Sequence, residues 1–141
     1  INLGIAVALD WGLIVPVIKR ADELSLLGVA RAINDLGERA RARKLNPDEV
    51  QRGTFTITNP GGFGSVIGTP IINQPQVAIL CVGSIEKQPA VITVDGTDTL
   101  AVRTRGMLAL AFDHRIVDGA DADRFMADIK ATLQGFAEGA V

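Results

Sequence analysis

His114 is the only histidine in the chain, and it stands in the run Asp113-His114-Arg115-Ile116-Val117-Asp118-Gly119. Imidazole titrates near neutrality without special tuning, so a general base is the chemistry this residue offers. The run lies between an apolar stretch ending at Phe112 and a segment of helical periodicity, which predicts a strand-to-helix loop at the edge of a core. Loops held by rigid elements are where chemistry concentrates. A structural histidine, satisfied by Asp113 or Asp118, fits the same residues. A metal site fits poorly, because one His without clustered Cys falls short of the usual ligand sets.

Other candidates reduce to structure on their own chemistry. The glycines of residues 59–65 suggest a phosphate loop, but no Lys-Ser/Thr pair follows and the G-x-G-x-x-G spacing is absent. Phe63 and Ile67 stand where a nucleophilic Ser65 would need glycines. A tight turn with close backbone packing remains. Cys81 lies in an apolar run and reads as a small, inert core residue. The basic run from Arg39 to Lys44 reads as a solvated face complementing a helix C-terminus rather than an anion site.

Three segments in register carry a resemblance. Asp113-His114-Arg115-x-x-Asp118-Gly119 is similar to the DHRxxDG signature of the dihydrolipoyl acyltransferases, the E2 components of 2-oxo acid dehydrogenase complexes. Gly53-Thr54-Phe55-Thr56-Ile57-Thr58-Asn59 resembles that family's GTFTxSN-type block, and Thr69-Pro70-Ile71-Ile72-Asn73-Gln74-Pro75-Gln76 is a third match. The likeness runs from Ile1 to about Phe136.

The resemblance implies an α+β, chloramphenicol acetyltransferase-like sandwich. It implies transfer of an acyl group between dihydrolipoamide and coenzyme A, both substrates, with no metal. His114 would be the general base. Thr58 would hold the oxyanion, in place of the commoner Ser. Asp118 would help hold the site and also suits the N-cap of the closing helix, while Arg115 is expected in a structural ion pair.

Family members form homotrimers that build 24-mer or 60-mer cores. Their partners are the E1 and E3 enzymes and a lipoyl domain, in the bacterial cytoplasm or the mitochondrial matrix. The other readings are a non-catalytic core subunit of the same fold, or a chloramphenicol-type acyltransferase using acyl-CoA. Retention of His114 and Thr58 argues against the first, and the two further blocks argue against the second. The acyl group and the coenzyme A contacts stay undetermined.

Composition agrees with these implications. At 141 residues, with 48% hydrophobic and 21% charged, the chain suits one domain with a real core. A net charge of −2 leaves no basic excess for nucleic acid. One cysteine excludes an internal disulfide and fits a reducing compartment. No apolar run approaches the roughly 18 residues of a membrane span. Ile1 already lies in a strand pattern, so residues 1–141 read as the C-terminal portion of one catalytic domain. The N-terminal part of that domain, and any lipoyl or peripheral-subunit-binding domain, would be missing.

The elements that must position these residues follow from periodicity. Apolar residues alternate over 1–9, the Asp10-Trp11-Gly12 turn follows, and residues 13–19 return as a strand held to an edge or bulge by Pro16. Ser25 caps a helix to about residue 43, with a stripe of Leu26, Ala30, Ile33 and Ala40 widened by Val29 and Leu36. A short helical turn follows at Asn46-Pro47. Strands are expected at 55–58, 77–82, 91–94 and 100–112, with a turn at Asp95-Gly96 and a bend at Gly106. A helix over 120–136 closes the chain with the apolar face Ala122, Phe125, Met126, Ile129, Leu133 and Phe136. The sum is a mixed sheet with helices on one face. Phe63, Val66, Ile67, Ile71 and Ile72 crowd a loop region that a lone domain would struggle to bury.

Overall fold

The computed structural model describes residues 1–136; the last five residues of the 1–141 domain span lie outside the described residues. In chain order the strands are β1 (Leu3–Ile5), β2 (Val7–Leu9), β3 (Gly12–Ile14), β4 (Val17–Ile18), β5 (Phe55–Thr58), β6 (Ala78–Val82), β7 (Glu86–Val94), β8 (Thr97–Arg105) and β9 (Leu108–Phe112). The helices are α1 (Leu26–Arg41) and α2 (Gly119–Gln134). The architecture is the expected α+β mixed sheet with packed helices.

A five-stranded sheet in the order β4-β1-β5-β6-β9 forms the centre. Its inner pairs β1–β5 and β5–β6 are parallel, while β1–β4 and β6–β9 are antiparallel. The apolar run of β6 is buried from Ala78 to Cys81, as a strand covered on both faces requires. Thr56 of β5 has no exposed surface.

The N-terminal hairpin differs from a single pair of long strands. Ile5 N donates to Pro16 O at 2.9 Å and Ala6 N to Ile57 O at 2.9 Å. Pro16 has no N–H to return, so the ladder breaks there. Beyond the break β2 pairs only with β3, in a two-stranded sheet of its own, while β4 is an edge of the main sheet.

Helix α1 begins where Ser25 Oγ accepts from Gly28 N at 3.1 Å. It ends at Arg41, two residues before the predicted limit, and Arg43 takes a left-handed φ of 56°. Leu36 and Ala40 of the predicted stripe are buried, but Leu26 and Ile33 are exposed: the chain itself covers only the C-terminal part of this face. Within the basic run, Arg39 bonds both Asp35 and Glu49. The Glu49 pair runs across two N–H···O contacts of 2.7 Å and ties α1 to the 3₁₀ turn Pro47–Val50. Hydrogen bonds from Arg39, then from Asn46 N, hold the Glu49 carboxyl down at about 2.

The strand region expected over 100–112 forms two strands, parted at Gly106 and Met107, where the bend was expected. The first of these, β8, pairs with β7 through nine registered positions as a separate hairpin. Its turn residues Asp95 and Gly96 both have positive φ, 50° and 79°, as a two-residue hairpin turn demands. Val91, Leu100 and Val102 on this hairpin are exposed. Helix α2 sets Phe125 edge-on to Phe55 at 5.9 Å and buries Ala122. Leu133 and Phe136 are exposed, so the predicted apolar face is covered only near its start. No helix among the described residues is long and apolar enough to cross a membrane.

Candidate active site

The loop after β9 is folded around Asp113. Its backbone N–H donates to Val77 O at 2.8 Å, fastening the loop to the start of β6, and its carbonyl accepts from Ile116 N and Val117 N, both at 3.0 Å. Its carboxylate accepts from Arg115 N at 3.0 Å, Nε at 2.9 Å and an Nη at 2.6 Å. These bonds from Arg115 hold the Asp113 carboxyl at about 2. Arg115 is thus the structural ion pair expected of it. Asp118 is engaged separately, where its Oδ1 accepts from Asp121 N at 3.0 Å and caps α2.

With Asp113 and Asp118 engaged elsewhere, neither bonds to His114, so the satisfied-histidine reading finds no support in the geometry. The exposed imidazole rests on the Phe112 ring, with centroids 5.4 Å apart, and has no hydrogen-bond partner among the described residues. The loop therefore presents a histidine on a clamped turn, oriented by packing and open to whatever approaches.

Thr58 ends β5, and strand periodicity puts it on the same face as Thr56. Thr56 Oγ1, fully buried, donates to Oε1 of the half-buried Gln76 at 2.7 Å, tying the loop of residues 68–76 to the sheet. Gln76 was not among the predicted site residues. A polar pair separated by twenty positions leaves no periodic signal that could have found it. The Thr58 hydroxyl is half-buried and unbonded among the described residues. It borders two cavities. One, of about 490 Å³, lies between the sheet and the 68–73 loop; the other, of about 590 Å³, lies toward α1. Beyond Thr58, Asn59 Oδ1 accepts from Gly61 N at 3.0 Å and opens the 3₁₀ turn Pro60–Phe63. Gly61 lies on the Gly83 backbone, where a Cβ would have no room. The glycine run is the tightly packed turn predicted for it.

The register decides which of the predicted residues come together. Thr58 is level with Cys81 on β6, and Cys81 with Ala109 on β9. His114 lies five residues past Ala109, on the order of 15 Å of strand, and two strand spacings of about 5 Å each to the side. One chain brings Asp113, His114, Arg115 and Asp118 together, and separately Thr58 with its cavities. It does not bring His114 to Thr58. Among the described residues, no group of three or more His, Cys, Asp or Glu could hold a metal ion.

The chain belongs to the family described as 2-oxoacid dehydrogenases acyltransferase (catalytic domain), whose model matches residues 1–140. It is 49% identical over 134 residues to the dihydrolipoyllysine-residue acetyltransferase component of the pyruvate dehydrogenase complex from Corynebacterium glutamicum, covering 95% of this chain and 20% of that protein. It is 45% identical over 133 residues to the succinyltransferase component of the 2-oxoglutarate dehydrogenase complex from Bacillus subtilis, covering 94% of this chain and 31% of that one. The crystal structure of a probable dihydrolipoamide acetyltransferase from Listeria monocytogenes superposes with a TM-score of 0.90 at 45% identity, over all of this chain and 58% of the other. The chain thus spans less than two thirds of each of these relatives.

Proposed function

We propose that the chain is the C-terminal portion of a catalytic domain that moves an acyl group between dihydrolipoamide and coenzyme A by direct thioester exchange. The reading is carried by His114: a lone imidazole on a rigid loop, with no partner of its own among the described residues, inside the family's signature. A thiol has a pKa near 8.5, so an imidazole base suffices to generate thiolate.

In the forward step His114 takes the proton of the coenzyme A thiol. The thiolate attacks the thioester carbonyl of acyl-dihydrolipoamide, and the Thr58 hydroxyl donates a hydrogen bond to the oxyanion that forms. Collapse breaks the old C–S bond, and the leaving dihydrolipoamide thiolate takes the proton back from the imidazolium. Asp118 steadies the loop by capping α2, and Asp113 clamps it through Arg115.

The separation of His114 from Thr58 favours a site completed by a second copy, His114 from one chain meeting Thr58 of its neighbour. Phe63 and Ile71, which line the cavities at Thr58, and Val66 and Ile67, near them in sequence, are all exposed, and such a contact would cover them. A cyclic trimer repeats one heterologous pairing three times and would build three such sites. Within a 24-mer or 60-mer core, a lipoyl domain would bring the acyl group from E1, and E3 would reoxidise the dithiol.

The test is transfer from acetyl-CoA to dihydrolipoamide by the full-length protein and its His114→Ala variant. Loss of on the order of 10²–10⁴-fold in kcat, with the assembly intact, is expected for a missing general base. Retention of most of the wild-type kcat overturns the assignment.

A further inference from the structure

The motifs leave the acyl group undetermined, and relatives of nearly equal identity carry acetyl and succinyl names. The surroundings of Thr58 narrow it. If Thr58 holds the oxyanion, the two cavities that this residue borders are the room this chain offers the acyl group. The 490 Å³ cavity is walled by Leu13, Val15, Ile72, Ile79 and Cys81, with the Asn73 carboxamide at its exposed rim, and none of its described lining residues is charged. Its one buried hydroxyl among the described residues, Thr56, is already bonded to Gln76. The second cavity includes Arg41, but Glu38 lines it too, so its cation comes with an anion.

We infer that the transferred group is an uncharged aliphatic acyl chain housed in the cavity between β5, β6 and the 68–73 loop. The inference rests on the acyl-transfer reading above and sharpens its substrate. A succinyl group would carry its carboxylate either into an apolar wall or beside Glu38. Burying a carboxylate without a cationic partner is strongly unfavourable, whereas an aliphatic chain gains by leaving water. The cavity is several times the volume of a small acyl group, so charge rather than size is the discriminating feature on this side of the site.

The experiment compares acetyl-CoA, isobutyryl-CoA and succinyl-CoA as donors to dihydrolipoamide, using the full-length protein. At least one uncharged donor should exceed succinyl-CoA in kcat/KM by on the order of 10²-fold. Asn73→Arg, at the exposed rim, should supply the missing cation and raise succinyl use relative to acetyl use by about tenfold. Succinyl-CoA equal to or better than the uncharged donors overturns the inference while leaving acyl transfer standing. Succinyl use lost specifically in Arg41→Met does the same, and places the acyl chain in the α1-side cavity. No transfer from any donor by an assembled protein overturns the acyl-transfer reading itself.

Discussion

Thr58 and His114 sit at opposite ends of one sheet, the first level with Cys81 at the end of β5, the second beyond Phe112, which is level with Ala78. Bringing them together inside one chain would require β9 to slip by about five residues. An odd slip would also flip every side chain of this half-buried strand to the opposite face of the sheet.

Two inactive variants should therefore restore one another. Full-length His114→Ala and Thr58→Ala proteins, refolded together in equal amounts, place both native groups at about a quarter of the interfaces if chains mix at random. Activity should return in that proportion. Absence of recovery after demonstrated mixing means that the site is built within one chain.

Thr58 has no side-chain hydrogen-bond partner among the described residues, so its removal breaks no such bond within the chain. Thr58→Ala should lower kcat by on the order of 10²-fold with little change in KM for coenzyme A, while Thr58→Ser stays active. Equal behaviour of the two variants means that the hydroxyl is not the relevant group.

The Arg39–Glu49 pair makes a specific acid sensitivity. Glu49 is held at about 2 in the folded chain, against 4.5 for the free side chain. A depressed carboxyl binds its proton more readily when unfolded. Its contribution is thus fully present above pH 4.5 and is lost as the pH falls toward 2. Glu49→Gln should cost about 1 kcal/mol at neutral pH and flatten the loss of stability over that window. Unfolding curves for the two proteins that stay parallel across the window exclude the effect.

Gly83 should tolerate no side chain. A Cβ there would run into the Val66 carbonyl and approach Met107 O to 3.2 Å, and both are backbone atoms with no rotamer to give way. Gly83→Ala is expected to destabilise the fold by about 1–3 kcal/mol. Gly62→Ala, with open space around it, serves as the control, and equal melting temperatures for the two would refute the packing account.

Much of this protein was legible because local signals act over a few residues. Ser25 and Asp118 cap α1 and α2 with their own side chains, and Asp95-Gly96 turns its hairpin through the positive φ these residues tolerate. The limits of β5 followed from composition, and the buried run of β6 came within one residue. The site residues were different. His114 stood out as a lone imidazole, but Thr58 was visible only through the family's block, since a β-branched residue at a strand end is chemically unremarkable.

Tertiary structure decided everything that depends on which strand lies beside which. No local pattern announces that residues 1–19 split between two sheets, or that β7 and β8 stand apart with Leu100 and Val102 in water. Nor does one announce that the buried Thr56 meets Gln76. Strand register is set by long-range pairing, in which each residue has many possible partners and the winning set is the one that buries the most apolar surface together. That pairing put the two candidate catalytic groups at opposite ends of the sheet. The sequence named them, and only the register showed that a single copy keeps them apart.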